Sequence, residues 1–184
     1  MVVLLEVSPA YAQGLRTLRD YPFQHIVAQD SPFGIAVLSR HPLQQVEVIE
    51  DAQGIAHIEA QLQWHGQPIG IIALHPMPPL SPQYHSVRNA KLAALAKQAA
   101  ASAIPTVLAG DLNATPWSSA FSGLAQLGLR RVAVFTHPDA EATDEHHEAA
   151  PHVHRQRQVV QAAERRGPGG GDGRHGLEIG VGDA

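Results

Sequence analysis

The sequence contains no cysteine among its 184 residues. This absence excludes a disulfide scaffold, a thiolate metal site and a cysteine nucleophile. Long apolar runs are absent as well, because proline or histidine interrupts each one before it reaches the roughly 20 residues of a membrane-spanning helix. The first segment, MVVLLEVSP, lacks the basic residues and the small-residue cleavage site of a signal peptide, so we expect none.

Charged residues are also scarce, at 16% of the chain. Lysine and arginine number 13 and aspartate and glutamate 17, which gives a formal net charge of −4. This balance argues against a broad nucleic-acid-binding surface, which needs an excess of basic side chains. Hydrophobic residues make up 44% of the sequence, which is sufficient for one domain with a buried core.

The composition changes near residue 131. Residues 132–184 hold 9 acidic and 5 basic side chains, 6 of the 12 histidines, and only 9 residues that are Val, Ile, Leu, Met or Phe. Such a segment buries too little apolar area to offset the entropy that is lost when it becomes ordered. We therefore predict a globular domain over residues 1–131 and a low-complexity, irregular and disordered tail over residues 132–184.

Apolar patterns over the first 131 residues predict strands and helices in alternation. Ser-Pro and Thr-Pro pairs suit the first turn of a helix, and they predict helices that begin after Ser8, Ser81 and Thr115, the last one ending at Gly128. Residues 55–64 alternate between apolar and polar, which predicts a strand with one solvent-exposed face. Further strands are predicted at 2–5, 34–39, 46–49, 69–74 and 105–109. The result is an α/β fold with a mixed sheet and flanking helices.

Three of the predicted strands end at a polar residue, namely Glu6, His75 and Asp111. If these strands run the same way, the three side chains emerge at one edge of the sheet, where sites of α/β proteins are commonly built. Asn113 follows Asp111 at a spacing of two, which places both on one side of an extended backbone. Carboxylate and amide oxygens suit a hard cation such as Mg²⁺ or Mn²⁺.

The segment GDLNATPWS at 110–118 closely resembles the signature of the endonuclease/exonuclease/phosphatase family, which includes pancreatic deoxyribonuclease and sphingomyelinases. Further segments resemble other parts of the family pattern in the right order: LLEVSP, GIAVLSRHPL and IIALHPMPPLSPQYHSVRNAKL. The resemblance covers roughly residues 2–131. It implies an incomplete α/β sandwich of the deoxyribonuclease-like type and divalent-metal-dependent hydrolysis of a phosphate ester.

The resemblance also implies a role for each of five residues. Glu6 would bind the divalent ion, Mg²⁺ or Mn²⁺. Asp111 would orient and deprotonate the attacking water, and Asn113 would donate its amide to a phosphoryl oxygen. His75 would donate a hydrogen bond to the phosphate, and Arg88, on the following helix, would add a bidentate contact to it.

Two parts of the family pattern are not found. Met1 directly precedes the Glu6 strand, where the family has an earlier strand with a metal-binding asparagine, and the closing Asp-His and Ser-Asp-His motifs do not occur after residue 131. We therefore expect a truncated member of the family.

Three hypotheses for function stay open at this point. The first is a phosphodiesterase, nuclease or phosphatase of unknown substrate, with activity impaired by truncation. The second is an inactive fragment of that fold, which acts as a binding or self-associating module. The third is chelation of Ni²⁺ or Zn²⁺ by the histidines of the segment 146–154.

Overall fold

A computed structural model of the protein describes residues 1–115, 118–121 and 123–129, and three short strands beyond them. Those strands are β8 (Ala133–Val134), β9 (Val160–Gln161) and β10 (Gly180–Asp183). Most of the predicted tail, including its histidine-rich segment, lies outside the described residues. The domain boundary at residue 131 and the proposed chelation of Ni²⁺ or Zn²⁺ therefore stay predictions.

Two four-stranded sheets pack face to face. The first has the order β10–β1–β3–β2, in which the strands before β10 are Val2–Leu5, Ile35–Ser39 and Phe23–Val27. The second has the order β4–β5–β6–β7, formed by Leu43–Glu50, Ala56–Trp64, Gln67–Leu74 and Thr106–Ala109. Among the described strands, β1 pairs in parallel with β10 and β6 with β7, while the other pairs are antiparallel.

The core between the two sheets comes from residues that alternate along the strands, because successive side chains point to opposite faces. Its members are at most 1% exposed, and they are Val3, Leu5, Ile35, Val37, Ala56, Ile58, Ala73 and Ala109. Leu5, Ala73 and Ala109 are at or near the ends of β1, β6 and β7. This shared core therefore joins the ends of three strands from two different sheets.

The two α-helices of the described residues begin where the sequence predicts. Helix α1 spans Pro9–Leu15 and helix α2 spans Pro82–Ala101. The Oγ atoms of Ser8 and Ser81 accept hydrogen bonds from the main-chain N–H three residues later, at 3.2 and 3.1 Å. Helix α2 covers the outer face of the second sheet, with Leu92, Leu95, Ala96 and Ala99 in contact with Ile72, Leu74 and Leu108. Within the described part of the chain, no helix combines the length and apolarity needed to cross a membrane.

Before residue 131, the structure differs from the predicted secondary structure in two places. Strand β2 was not predicted, because its sequence FQHIV mixes polar and apolar residues at the edge of a sheet. The helix predicted between Thr115 and Gly128 is wrong, and the described residues there form two 3₁₀ turns, Ser119–Phe121 and Ala125–Leu127. Phe121, Leu124 and Leu127 recur every third residue and pack against the α2 core, a spacing that suits three residues per turn.

The exposed face predicted for β5 is wrong at the first half of the strand, whereas Gln63 near its end is exposed as predicted. His57 on that face is 5% exposed, and Glu59 is half-buried. Helix α2 covers this face, and the side-chain amide of Gln98 donates to Glu59 Oε2 at 2.7 Å. Period-two alternation therefore identified the strand correctly, but part of its polar side lies under a helix that the local pattern does not reveal.

An ion pair ties α2 to the turn between β4 and β5. Lys91 Nζ lies 2.6 Å from Asp51 Oδ2, and Asp51 Oδ1 accepts hydrogen bonds from the main-chain N–H groups of Gln53 and Ile55 at 3.0 and 2.9 Å. Burial acts to raise the pKa of Asp51, but these hydrogen bonds and the charge of Lys91 outweigh it and lower the pKa. The side chains of Lys91 and Asp51 are only 12% and 21% exposed, so water screens the pair incompletely.

We expect this ion pair to make the free energy of unfolding depend on pH. Because the pKa of Asp51 is lower in the folded chain than its ordinary value of 3.8, its contribution is fully present above that value and is lost as pH falls through the folded pKa. Asp51→Asn should lower stability by about 1 kcal/mol near neutral pH and by much less at about pH 2. Urea denaturation across this range measures the difference. The exposed Asp20→Asn is the control, and an equal loss at both ends of the range would contradict the expectation.

Candidate functional site

Parallel pairing of β6 with β7 places His75 beside Asp111. Ala73 is opposite Ala109 in the register, and the two candidate residues follow these at the same spacing. Nε2 of His75 lies 4.0 Å from Oδ2 of Asp111. His75 is 5% exposed, and its Nδ1 is buried without a hydrogen-bond partner among the described residues. Two of the residues predicted for the site therefore lie side by side at the end of the second sheet.

Gly110 allows β7 to approach the end of β6 closely. Its φ is +142°, a value that side chains of L-residues rarely adopt. A Cβ at this position would lie 1.8 Å from the carbonyl oxygen of Leu74. The glycine of the GDLN segment is therefore required by contact between the two strand ends.

Asn113 closes a turn next to Asp111. Its backbone is left-handed, with φ 48°, which asparagine tolerates better than most residues. The main-chain N–H of Asn113 donates to Asp111 Oδ1 at 2.7 Å, and its side-chain amide donates to the carbonyl oxygen of Pro76 at 2.9 Å. These bonds hold the Asp111 carboxylate and link it to the segment that follows His75.

Arg88 lies against the same turn from the side of helix α2. It is 2% exposed, its Nη1 donates to the carbonyl oxygen of Asn113, and its Nε donates to Asn89 Oδ1 at 2.8 Å. Burial lowers the pKa of the guanidinium, which still keeps its charge. Both described hydrogen bonds direct the guanidinium at protein acceptors, and the bidentate contact with a phosphate stays a prediction.

Glu6 emerges at the end of β1, in the other sheet. Leu5 pairs with Ile35, yet the N–H of Val7 already donates to the carbonyl oxygen of Gly34 at 3.1 Å, so Glu6 is the extra residue of a β-bulge. Its φ of 57° is left-handed, and its side chain is exposed. This conformation costs on the order of 1 kcal/mol for such a residue and is common at functional sites.

A ring contact connects the Glu6 bulge with His75. Gly34 packs against the backbone of Val7, and the ring of the preceding residue, Phe33, has its centroid 5.6 Å from that of His75. The bulge and the ends of β6 and β7 therefore lie at the same end of the sandwich. The prediction of a single sheet edge is wrong in one respect, since β1 belongs to the first sheet and β6 and β7 to the second.

Phe33, Gly34 and Asn89 have roles that the sequence does not predict. Gly34 and Asn89 lie inside the segments that resemble the family, but a single sequence does not distinguish them from neighbouring residues. Their roles depend on long-range contacts, with Val7 for Gly34, His75 for Phe33 and Arg88 for Asn89. No local signal marks such contacts.

Oxygen donors that suit a hard cation lie at this end of the sandwich. The described residues contain no group of three or more His, Asp or Glu side chains arranged to hold a metal ion. Mg²⁺, however, commonly takes only one or two protein carboxylates and completes its shell with water and substrate oxygens. The exposed carboxylate of Glu6 fits that requirement.

Several solved structures have the same fold. D. rerio TDP2 complexed with single strand DNA product is 21% identical, with a TM-score of 0.57 over 71% of this chain and 54% of that chain. Sphingomyelinase C from Streptomyces griseocarneus is 20% identical, with a TM-score of 0.55 over 70% of this chain and 57% of that one. The beta toxin of Staphylococcus aureus is 14% identical, with a TM-score of 0.54 over 71% and 59%.

These similarities show a deoxyribonuclease-like α/β sandwich, as the sequence predicts. The chain spans little more than half the length of these three structures. The sequence profile of the Endonuclease/Exonuclease/phosphatase family matches residues 1–176, so the chain belongs to this family. No curated protein matches the sequence.

We expect Gly34→Ala to destabilise the protein and to disturb the Glu6 bulge. The new Cβ would lie 2.1 Å from the carbonyl oxygen of Val7, so the backbones of β1 and β3 have to separate. The expected loss is roughly 1–3 kcal/mol in the free energy of unfolding, measured by urea denaturation.

The matched control is Gly14→Ala in helix α1, where a Cβ meets nothing within 4 Å. It should be neutral or stabilising by up to about 1 kcal/mol, because alanine favours helix. If the two substitutions change stability equally, the close approach of Gly34 to Val7 is not a constraint.

Proposed function

We propose that the protein hydrolyses phosphodiesters with the help of a divalent metal ion, Mg²⁺ or Mn²⁺. The observation that carries this proposal is the placement of His75, Asp111 and Asn113 at the end of the sandwich where Glu6 also emerges. Membership of the Endonuclease/Exonuclease/phosphatase family supports the same chemistry, since its members generally use divalent metals.

Asp111 is the proposed general base. One of its carboxylate oxygens accepts the N–H of Asn113 at 2.7 Å, which fixes the plane of the carboxylate before any substrate binds. A carboxylate held in this way can orient a water molecule and accept its proton as the oxygen attacks phosphorus. The turn at Asn113 is thus part of the proposed catalytic arrangement.

His75 and Asn113 are the proposed hydrogen-bond donors to the phosphate. The 4.0 Å between His75 Nε2 and Asp111 Oδ2 is too long for a hydrogen bond, so the imidazole is not fixed to that carboxylate and can donate to a phosphoryl oxygen. The side-chain amide of Asn113 has two N–H groups, and the bond to Pro76 uses one of them. Hydrogen-bond donors that are already in position before the reaction stabilise the charge that develops on phosphoryl oxygens.

Glu6 is the proposed metal ligand. A bound divalent ion neutralises the anionic phosphate and so lowers its repulsion of the incoming oxygen. The left-handed backbone at Glu6 turns the chain as it leaves β1, and the side chain stays exposed. The bulge therefore presents a hard oxygen donor without burying its charge.

The proposed substrate class is the phosphodiester. The similar structures include a TDP2 with a single strand DNA product and a sphingomyelinase C, so this fold serves different phosphodiesters through different surroundings. The net charge of −4 favours a small diester over a long polyanion, since tight binding of nucleic acid depends on many basic side chains.

The test is hydrolysis of bis-p-nitrophenyl phosphate by the full chain with Mg²⁺ or Mn²⁺. We expect turnover that chelation by EDTA abolishes, and a loss in kcat/KM of about 100-fold or more for Asp111→Asn and for Glu6→Gln. Glu50→Gln, the same chemical change at an exposed position of β4, should leave the rate unchanged.

Two results would contradict the proposal. No turnover with either ion would favour the alternative of an inactive fragment that binds partners or self-associates. Turnover that survives both EDTA and Asp111→Asn would indicate a different site.

A further inference from the structure

Arg88 is a buried cation whose described hydrogen bonds both go to neutral oxygen atoms. It is 2% exposed, and these bonds go to the carbonyl oxygen of Asn113 and to Oδ1 of Asn89. Burying a charge is unfavourable unless it is hydrogen-bonded or paired, so these two hydrogen bonds are what offsets the burial of the guanidinium. A residue that merely filled the space under α2 would not need a charge.

The carbonyl oxygen to which Arg88 Nη1 donates belongs to a residue with a strained backbone. Asn113 is left-handed, with φ 48°, which turns its carbonyl away from the direction of an extended residue. A fixed donor for that carbonyl stabilises the left-handed conformation over the extended one. The N–H of the same residue donates to Asp111 Oδ1, so the conformation of Asn113 contributes to the orientation of the Asp111 carboxylate.

The planar guanidinium is suited to this arrangement. Its Nε binds Asn89 and its Nη1 binds Asn113, so the side chain is oriented by a neighbour on its own helix while it holds the turn. Lysine has one compact ammonium group and lacks this fork of donors. Lys91, one turn further along α2, ties the same helix to Asp51.

We propose that Arg88 is a positioning residue, which holds the carbonyl of Asn113 and thereby the orientation of the Asp111 carboxylate. It acts through the turn and makes no contact with the substrate. Its effect on the structure of the turn is independent of function, whereas its effect on the reaction rests on the proposed phosphodiesterase activity.

The first test is hydrogen exchange of the full chain, followed at the amide of Asn113. Arg88→Gln should raise the exchange rate there by about tenfold or more, because the left-handed turn loses the donor that holds it. Arg88→Lys keeps the charge and should raise the exchange rate at Asn113 by a smaller factor. If Arg88→Gln does not fold, Arg88→Lys alone tests whether Arg88 holds the turn. Lys97→Gln, which removes a charge from an exposed position of the same helix, should change nothing at Asn113. Unchanged exchange in a folded Arg88 variant would overturn the proposal.

The second test separates positioning from substrate binding. With bis-p-nitrophenyl phosphate, Arg88→Gln and Arg88→Lys should each lower kcat by about tenfold or more and leave KM within about twofold, because a misplaced base slows chemistry without removing a phosphate contact. A raised KM with an unchanged kcat would instead establish the phosphate contact and overturn the proposal. If the wild-type protein shows no turnover, the proposed function fails, and the exchange measurement alone decides the role of Arg88.

Discussion

Parallel pairing of β6 with β7 is the constraint on which the candidate site depends. It places His75 and Asp111 at neighbouring strand ends, and it requires Gly110, where any Cβ would meet the carbonyl of Leu74. At the left-handed turn that follows, Asn113 makes hydrogen bonds with three partners. These are the Asp111 carboxylate, the carbonyl oxygen of Pro76 after His75, and the guanidinium of Arg88. Backbone geometry therefore positions Asp111, Asn113 and His75 more than contacts among their side chains do.

The second constraint is that the proposed metal ligand comes from the other sheet. The shared core between the sheets holds the end of β1 near the ends of β6 and β7, and the contact of Phe33 with His75 continues this link at the surface. Glu6 and Asn113 are both left-handed, and both belong to the predicted site. Backbone strain at two site residues is consistent with a fold that maintains a geometry for binding.

The sequence predicts the parts of the fold that depend on local physics. The caps at Ser8 and Ser81 involve residues three apart, and the strand at 69–74 is a short apolar run, so both are visible in the chain itself. The site residues at 6, 75 and 111 follow from where apolar runs stop, and the DLN segment from its resemblance to the family.

What the sequence does not predict depends on contacts between distant segments. His57 and Glu59 on the polar face of β5 lie under α2, and Gly34 packs against Val7 next to the bulge at Glu6. Arg88 is a charged helix residue with no local sign of burial, yet one of its two described hydrogen bonds goes to the distant turn at Asn113. Asparagine is enriched in left-handed backbone, so the sequence gives a local indication at Asn113. Glutamate is not enriched there, so the sequence does not predict the left-handed backbone at Glu6.

The most direct measurement is nuclear magnetic resonance of the labelled full chain titrated with Mn²⁺, whose paramagnetism broadens nearby amide signals. If Glu6 and the Asp111 turn share a cation, the amides of Glu6, His75 and Asn113 broaden together, while Arg40 and Trp64, at the opposite ends of β3 and β5, stay sharp. Glu6→Gln should abolish the effect at all three sites. Broadening confined to one strand end, or broadening that is unchanged in Glu6→Gln, would contradict a shared cation site.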